Sequence, residues 1–238
     1  MAVKFSDSSS VPVARRTVLV LSAVGVLGVL FGSKISDRLN NVFSKLSPNN
    51  PISNLIPGGA GFEIYTVAGF PIRTTKDYKL KVTGLVNKPI TLSYSDLLKL
   101  PPTYMTKDFQ CVTGWRVPNV KWTGVCLRDI LNLAGVKQEV KGVLFKSYDG
   151  VYTESLTLNQ AMRSDVIVAY SMLGESITEE HGGPVRLYVA PMYGYKSIKW
   201  LDSIELATNV IPGYWENLGY AQNAWIGRSN GRTDQPVD

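Results

Sequence analysis

The chain has 238 residues, 45% of them hydrophobic, so it is long enough to bury one good core and is not disordered by composition. Its net charge of +6 would suit nucleic acid, but residues 1–50 contribute +4 of that total. The remaining net charge of about +2 is too small for a surface that binds a phosphate backbone, which excludes a nucleic-acid partner.

A hydrophobic segment follows the basic N-terminal region, residues 1–16. Residues 17–32 are predicted to form one hydrophobic helix, because Thr17–Phe31 is an uncharged run of 15 residues. A membrane-spanning helix needs roughly 17–25 apolar residues, so this run is short for an anchor and equally suits the core of a signal peptide. No Ala-x-Ala cleavage pattern follows it, which favours a retained single-pass anchor.

Arg15 and Arg16 stand directly before this run and indicate a twin-arginine export signal, although paired arginines also flank ordinary anchors. The basic flank predicts that the N-terminus stays in the cytoplasm and that the bulk of the chain lies outside the cytoplasmic membrane. Residues 33–61 are rich in Ser, Asn, Pro and Gly and are predicted to be a linker. Residues 62–238 then form one domain.

The domain is predicted to be α+β, with mixed sheets and short helices. Leu80 and Val82, followed by Leu85-Val86, indicate a strand, and Ser93 is predicted to cap a short helix that runs through Leu100. A second helix is predicted over Leu127–Leu133. Further strands are predicted over Thr106–Val112, Val143–Tyr148, Val151–Leu156, Val166–Tyr170, Val185–Ala190 and Ile198–Leu206, with Asp149-Gly150 as a hairpin turn.

Three short segments carry chemistry when they are taken together. The first offers a soft thiolate, Cys111, and the other two offer cationic donors beside glycine: Asp108–Trp115, His181–Arg186 and Ser197–Trp200. Thiolate binds soft metals, whereas Arg, Lys and tightly turned backbone bind phosphate. The combination predicts an oxidoreductase whose metal is held by a phosphorylated organic ligand.

These segments resemble the sulfite oxidase family of molybdopterin enzymes, in which one cysteine ligates molybdenum and the His-Gly-x-Pro-x-Arg and Ser-x-Lys-Trp motifs hold the pterin phosphate. The Cys-x-x-Gly-Trp and Gly-Tyr-Trp-Glu sequences look closest to the catalytic subunits of bacterial protein-methionine-sulfoxide reductases and their relatives. The likeness runs from about residue 62 to about residue 220 and includes, in the same order, Leu80–Val86, Trp122–Leu127, Asp149-Gly150, Asp165–Tyr170 and Gly213–Tyr220.

The resemblance implies a molybdenum–molybdopterin cofactor and a role for each matching residue. Cys111 would be the metal ligand and a catalytic residue. On spacing alone, a disulfide between Cys111 and Cys126 remains an alternative for an exported chain. The implied cofactor-binding residues are His181, Arg186, Ser197, Lys199 and Asp149, together with Tyr65 and Thr66 near the start of the domain.

The number of arginines near the predicted metal site helps to predict the substrate. Sulfite-oxidising members of the family place one arginine in the stretch that corresponds to Glu63–Ala68 and two shortly after the metal cysteine, whereas here only Arg116 follows Cys111. A sulfite dianion would be under-neutralised, so we predict reduction of a sulfoxide or N-oxide, with Arg116 as a catalytic residue. The alternatives are a sulfite oxidase and an anchored binding module that is not catalytic.

An electron partner is also expected. The sequence has no Cys-x-x-Cys-His haem motif, so the chain is predicted to receive electrons from a membrane haem or quinone-linked protein. The substrate would be a small-molecule or protein sulfoxide.

Overall fold

The computed structural model describes residues 61–229. The basic N-terminal region, the hydrophobic helix with its twin-arginine signal, and all of the linker except Gly61 lie outside the described residues. Within residues 61–229, no helix has the length and the apolar character that a membrane crossing requires.

The described elements are ten strands and three α-helices, which bears out the α+β prediction. The strands are β1 (Lys79–Gly84), β2 (Ile90–Ser93), β3 (Thr103–Gln110), β4 (Arg116–Cys126), β5 (Gly142–Ser147), β6 (Thr153–Thr157), β7 (Val166–Met172), β8 (Glu175–Ser176), β9 (Arg186–Val189) and β10 (Leu201–Ala207). The helices are α1 (Tyr94–Lys99), α2 (Leu127–Ala134) and α3 (Leu158–Ala161).

The strands form two sheets. The first has the order β2-β1-β10-β5-β6, and its β1 and β10 run parallel, with Val82 opposite Ile204. The second has the order β3-β4-β7-β8, and β9 also pairs with β7. A parallel pair needs a long connection between its two strands. Here the connection is the rest of the described fold, since β1 is its first strand and β10 its last.

Strand β7 links two hydrophobic clusters. Val166 and Val168 belong to the main core, which the first sheet and α2 also supply, whereas Ile167 and Ala169 belong to a second cluster around Phe109. Successive strand residues point to opposite faces, so a strand buried on both faces has a continuous apolar sequence. This two-sided burial holds the second sheet, and with it the Cys111 loop after β3, against the main core.

Helices α1 and α2 form where the sequence predicts them. The Ser93 hydroxyl accepts from the backbone N–H of Asp96, and the Asp96 carboxylate accepts from the N–H of Ser93, which completes a capping box. The second helix buries Leu127, Ile130, Leu131 and Ala134, a helical spacing that faces the core. Strand β4 was not predicted, and the predicted strand over Ile198–Leu206 begins three residues later, at Leu201.

Candidate functional site

A cavity of about 300 Å³ collects almost all of the predicted site residues. Its wall is built by loops that follow strands of both sheets, so residues far apart in sequence meet there. Eight of the nine predicted residues line it: Tyr65, Thr66, Cys111, Asp149, His181, Arg186, Ser197 and Lys199. The exception is Arg116.

Cys111 stands in a tight turn immediately after β3. Its N–H donates to the carbonyl of Trp115 at 2.9 Å, and the N–H of Gly114 donates to the carbonyl of Cys111 at 3.2 Å. These bonds close the loop and present the sulfur at the cavity. The hydroxyl of Thr113 donates to Cys111 Sγ at 3.2 Å, which fixes the position of the sulfur. The geometry suits a sulfur that binds a metal.

The two cysteines are both free. Cys126 is buried at the end of β4, where its sulfur lies 3.7 Å from the carbonyl oxygen of Arg163, whereas Cys111 is partly exposed at the cavity. The disulfide that spacing alone allowed is therefore absent from the structure, and Cys111 is available as a ligand.

Arg186 lies at the buried end of the cavity, with only 3% of its surface exposed. Its guanidinium donates to the carbonyl of His181 at 2.7 Å and to the carbonyl of Ser197 at 2.8 Å. It also lies over the rings of Phe109 and Trp122, at 5.4 and 5.7 Å from their centroids. Arg186 thus joins the two motif segments to each other, in addition to carrying positive charge.

The glycines of the His181–Arg186 segment allow it to touch Lys199. Gly182 has a φ of +96°, and a Cβ there would come within 2.6 Å of Lys199 Cβ, so only glycine fits. The carbonyl of Gly182 accepts from the N–H of Trp200 at 3.1 Å, and Lys199 Nζ donates to the carbonyl of Glu180 at 2.8 Å. The two segments therefore form one surface.

Two carboxylates, Asp149 and Glu180, line the cavity together with Arg186 and Lys199 but form no ion pair with them. Within residues 61–229, no carboxylate forms an ion pair with Arg186 or Lys199. Burial, followed by the charge of Arg186, lowers the pKa of Lys199 to about 7, although Glu180 and Asp149 act in the opposite direction. A bound phosphate would pair with both cations and favour the charged lysine.

His181 is neutral at physiological pH. Burial, together with the positive charges of Arg186 and Lys199, lowers its pKa to about 4, and the negative charge of Glu180 opposes this only in part. Its ring lies edge-on to Phe62, with the centroids 5.0 Å apart. A neutral imidazole offers one donor and one acceptor, so His181 can contact a heterocycle without adding charge.

Asp149 lines the cavity and holds the turn between β5 and β6. Its Oδ1 accepts from the N–H groups of Val151 and Tyr152, both at 2.9 Å, and this holds the β5–β6 turn. Its Oδ2 is buried and has no hydrogen-bond partner among the described residues. Buried acceptors are usually satisfied, so this atom is suited to an N–H or O–H of a ligand.

Ser197 and the Tyr65–Thr66 pair differ in burial. Ser197 is buried, and its hydroxyl oxygen accepts from the N–H of Val189 at 2.9 Å, so its O–H can donate to a ligand. Tyr65 is 55% exposed and donates to Glu63 Oε2 at 2.5 Å, while Thr66 donates to the carbonyl of Gly69. Ser197 is therefore part of the buried wall, and Tyr65 and Thr66 are part of its exposed rim.

Arg116 lies outside the cavity lining. It begins β4 opposite Gln110, and its Nε is 3.5 Å from Asp108 Oδ2, with both side chains more than a third exposed. Closeness to Cys111 in sequence therefore does not bring this guanidinium into the wall. Its catalytic role stays a prediction.

Sequence reasoning did not assign the aromatic wall of the cavity. Two of its segments, Tyr193–Tyr195 and Gly213–Tyr220, are recognisable as patterns, but nothing local shows that their rings meet. Gly194 permits the approach, because a Cβ there would lie 2.5 Å from the ring of Phe109. The aromatic residues of the wall are Phe62, Phe109, Trp115, Tyr152, Tyr195, Trp200, Trp215 and Tyr220.

Comparison with known proteins matches most of the described domain to one family. Residues 67–215 match the model described as oxidoreductase molybdopterin binding domain. The uncharacterized oxidoreductase YuiH of Bacillus subtilis is 38% identical over 161 residues, 63% of this chain and 80% of its own. The protein-methionine-sulfoxide reductase catalytic subunit MsrP of Campylobacter jejuni is 29% identical over 178 residues, 68% of this chain and 60% of its own.

A plant enzyme and a solved structure are also similar to this chain. The sulfite oxidase of Arabidopsis thaliana is 31% identical over 179 residues, which cover 61% of this chain and 46% of that enzyme. The crystal structure of the sulfane dehydrogenase SoxCD from Paracoccus pantotrophus superposes with a TM-score of 0.61 at 26% identity, over 70% of this chain and 50% of that chain. The chain thus spans only about half to three fifths of the length of these three relatives that have named activities or substrates.

Proposed function

This chain belongs to the molybdopterin-binding oxidoreductase family, and from that premise we propose that it is a molybdenum-dependent reductase of a neutral sulfoxide or N-oxide. The observation that carries the proposal is the cavity itself. The free cysteine Cys111 lines the same space as two cationic side chains, the buried Arg186 and the partly buried Lys199, which form no ion pair within residues 61–229.

The residues present fit a molybdenum–molybdopterin cofactor. Cys111 is a soft ligand, Arg186 and Lys199 match a phosphate, and the unpartnered Asp149 Oδ2 matches a donor on the pterin. The aromatic wall suits a flat ring system. Among the described residues, no cluster of three or more His, Cys, Asp or Glu side chains could hold a metal by itself. We therefore assign the metal to Cys111 together with the organic ligand.

These residues give the metal and the protein different roles in catalysis. The bound metal supplies the two-electron exchange of an oxygen atom, which protein side chains cannot perform. Cys111 would hold the metal, and Arg186, Lys199 and Ser197 would hold the phosphate. Tyr65 and Thr66, which also line the cavity, would contact the cofactor, and together these contacts would orient it for reaction.

The charges of the cavity favour a neutral substrate. Its cationic side chains, Arg186 and Lys199, are both at the cofactor end, and Arg116 is not part of the wall. An anion that leaves water needs compensating charge, whereas a sulfoxide does not. A sulfite dianion would therefore bind poorly beside Cys111. The likeness to a methionine-sulfoxide reductase subunit supports the same choice.

Sulfite oxidation is the second candidate, and the 31% identity with a plant sulfite oxidase favours it. Steady-state rates with methionine sulfoxide, dimethyl sulfoxide, trimethylamine N-oxide and sulfite, with artificial electron donors and acceptors, decide between the two. We expect sulfoxide or N-oxide reduction to exceed sulfite oxidation. Efficient sulfite oxidation without reductase activity would refute the proposed direction.

A measurement of the metal content tests separately whether this chain binds molybdenum. Protein purified from a host that makes the cofactor should contain about one molybdenum atom per chain, measured by mass spectrometry of the metal. Protein that takes up no molybdenum under these conditions would instead be the anchored, non-catalytic binding module.

We also propose that the protein is anchored in the cytoplasmic membrane by residues 17–32, with residues 62–238 outside the cytoplasm. Electrons would come from a membrane haem or quinone-linked partner, since the sequence has no haem-attachment motif of its own. Cell fractionation, with protease added to intact spheroplasts, tests the location. Recovery of the full-length chain in the soluble cytoplasmic fraction would refute it.

A further inference from the structure

Three buried ionisable side chains form a cluster directly behind the cavity wall. Glu154 lies on β6, Lys196 ends the 3₁₀ turn Gly194–Lys196, and Glu216 begins the 3₁₀ turn Glu216–Leu218. Lys196 Nζ donates to Glu216 Oε1 at 2.5 Å and also to Glu154 Oε1. None of the three side chains is more than 3% exposed. One ammonium thus joins three separate segments of the chain.

Each of two clustered residues is the sequence neighbour of cavity-lining residues. Lys196 lies between Tyr195 and Ser197, and Glu216 follows Trp215. A shift of the Lys196 backbone would therefore displace both a wall aromatic and a residue of the phosphate end. A shift of Glu216 would displace the indole of Trp215. The ion cluster and the cavity wall are therefore formed by the same segments of the chain.

Hydrogen bonds around the cluster join the same segments to β6 and to one another. The hydroxyl of Tyr152 donates to the carbonyl of Tyr195 at 2.7 Å, and the hydroxyl of Tyr195 donates to the carbonyl of Ala221 at 2.5 Å. The N–H of Tyr214 donates to the carbonyl of Thr153 at 3.0 Å. The cluster is the charged centre of this network.

Stability alone does not account for such a cluster. Desolvation of buried ions offsets most of their mutual attraction, and apolar side chains of similar volume are often equally or more stabilising. What the ions add is geometry, because an ammonium with two carboxylate acceptors is satisfied in only one arrangement. The cluster therefore determines where the two turns lie.

The charges of the cluster balance if one carboxyl is neutral. Burial raises the pKa of Glu154 well above its usual value, and the nearby Glu216 adds to the rise while Lys196 opposes it. The Oε2 atoms of both glutamates are buried without a hydrogen-bond partner among the described residues, which fits a proton on one of them. With one proton, the two carboxyls and the ammonium sum to zero charge.

We propose that Glu154, Lys196 and Glu216 are positioning residues, whose ion cluster holds Tyr195, Ser197 and Trp215 in the arrangement that retains the cofactor. The proposal rests on the proposed function, since it requires a molybdopterin in the cavity. Its residues do not touch the cofactor and act only through their neighbours.

Two variants separate positioning from plain stability. Lys196→Met leaves two buried carboxyls without their cation, so its cofactor-free form should melt at a lower temperature and the holoprotein should release molybdopterin about tenfold faster. The triple variant Lys196→Met/Glu154→Gln/Glu216→Gln has no buried charge, so the melting temperature of its cofactor-free form should recover. Its release of molybdopterin should remain about tenfold faster than in the wild type, because the defined geometry is still lost.

A control completes the experiment. Lys146→Met removes an exposed ion pair with Glu205 and should release molybdopterin at the wild-type rate. Wild-type release from the triple variant would overturn the proposal while leaving the proposed function intact. A wild-type protein without molybdopterin would overturn both.

Discussion

Two parts of the cavity wall differ in how they are built, the part proposed to hold the metal (the metal end) and the part proposed to hold the phosphate (the phosphate end). At the metal end, Cys111 and Thr113 lie on a short loop, and Tyr65 is more than half exposed. At the phosphate end, Arg186 and Ser197 are buried, and each is tied to backbone atoms of another segment. The reacting centre must be accessible to the substrate, whereas binding of the cofactor requires side chains that are held in fixed positions. The contrast indicates that catalysis and cofactor retention can be impaired separately.

The largest effect is expected at the metal end. Cys111→Ser should reduce turnover below detection, because a neutral hydroxyl is a poor substitute for a soft thiolate ligand. Pterin content should remain high, since the contacts of Arg186 and Lys199 are unchanged. Activity and fluorescence of the extracted pterin measure the two quantities. Cys126→Ala is the matched control and should keep its activity. Normal turnover in Cys111→Ser would remove the distinction between the two ends.

Substitutions at the phosphate end should lower cofactor occupancy instead. Arg186→Gln and Lys199→Met each lose a charge-assisted contact of about 1.5–3 kcal/mol, or about one to two decades in affinity. Titration of cofactor-free protein with molybdopterin measures this loss. Undiminished affinity in a protein that carries both substitutions would refute the phosphate assignment.

The same two substitutions should differ in the stability of the cofactor-free protein. Arg186→Gln deprives the carbonyls of His181 and Ser197 of their donor, at about 1–3 kcal/mol for each buried group left unsatisfied, so the melting temperature should fall. Lys199→Met removes a partly buried charge that forms no ion pair within residues 61–229 and should not lower the melting temperature. Equal losses in the two variants would contradict the linking role of Arg186.

The pH dependence of stability sharpens the contrast. Burial lowers the pKa of Lys199 to about 7 in the folded chain, so between pH 7 and the ordinary lysine pKa of about 10.4 the unfolded chain binds more protons. The penalty for the buried charge is therefore full below pH 7 and disappears as the pH rises towards 10. In cofactor-free protein, the melting temperature of Lys199→Met should exceed that of the wild type most at pH 6. A difference that is constant with pH would contradict this.

The smallest effect is expected outside the cavity. Arg116 is paired with Asp108 and is absent from the cavity wall, so Arg116→Ala should change sulfoxide reduction by less than about threefold. Any sulfite oxidation should be damaged more, because an anion is more sensitive to a nearby positive charge. The ratio of kcat/KM for the two substrates measures the effect. A large loss of reductase activity would instead show that Arg116 takes part in catalysis.

Much of the fold could be predicted because its signals are local. The helix cap at Ser93 and the Asp149-Gly150 turn each depend on a few adjacent residues, and both form as predicted. Strand β4 was missed because Pro118 and Asn119 interrupt its pattern, and Asn119 has a φ of +55°. Pairing with β3 on one side and β7 on the other compensates for this interruption, and that pairing has no local signal.

The sequence by itself determined which chemical groups are available: one thiolate, an arginine and a lysine beside glycine, and an aspartate in a turn. These depend on residue type and on short spacing, so eight of the nine predicted site residues do meet in one cavity. Only the tertiary structure decided that Arg186 joins two loops, that Arg116 lies outside the wall, and that Lys196 joins Glu154 to Glu216. Each depends on segments distant in sequence approaching within hydrogen-bond distance, and packing alone sets that approach.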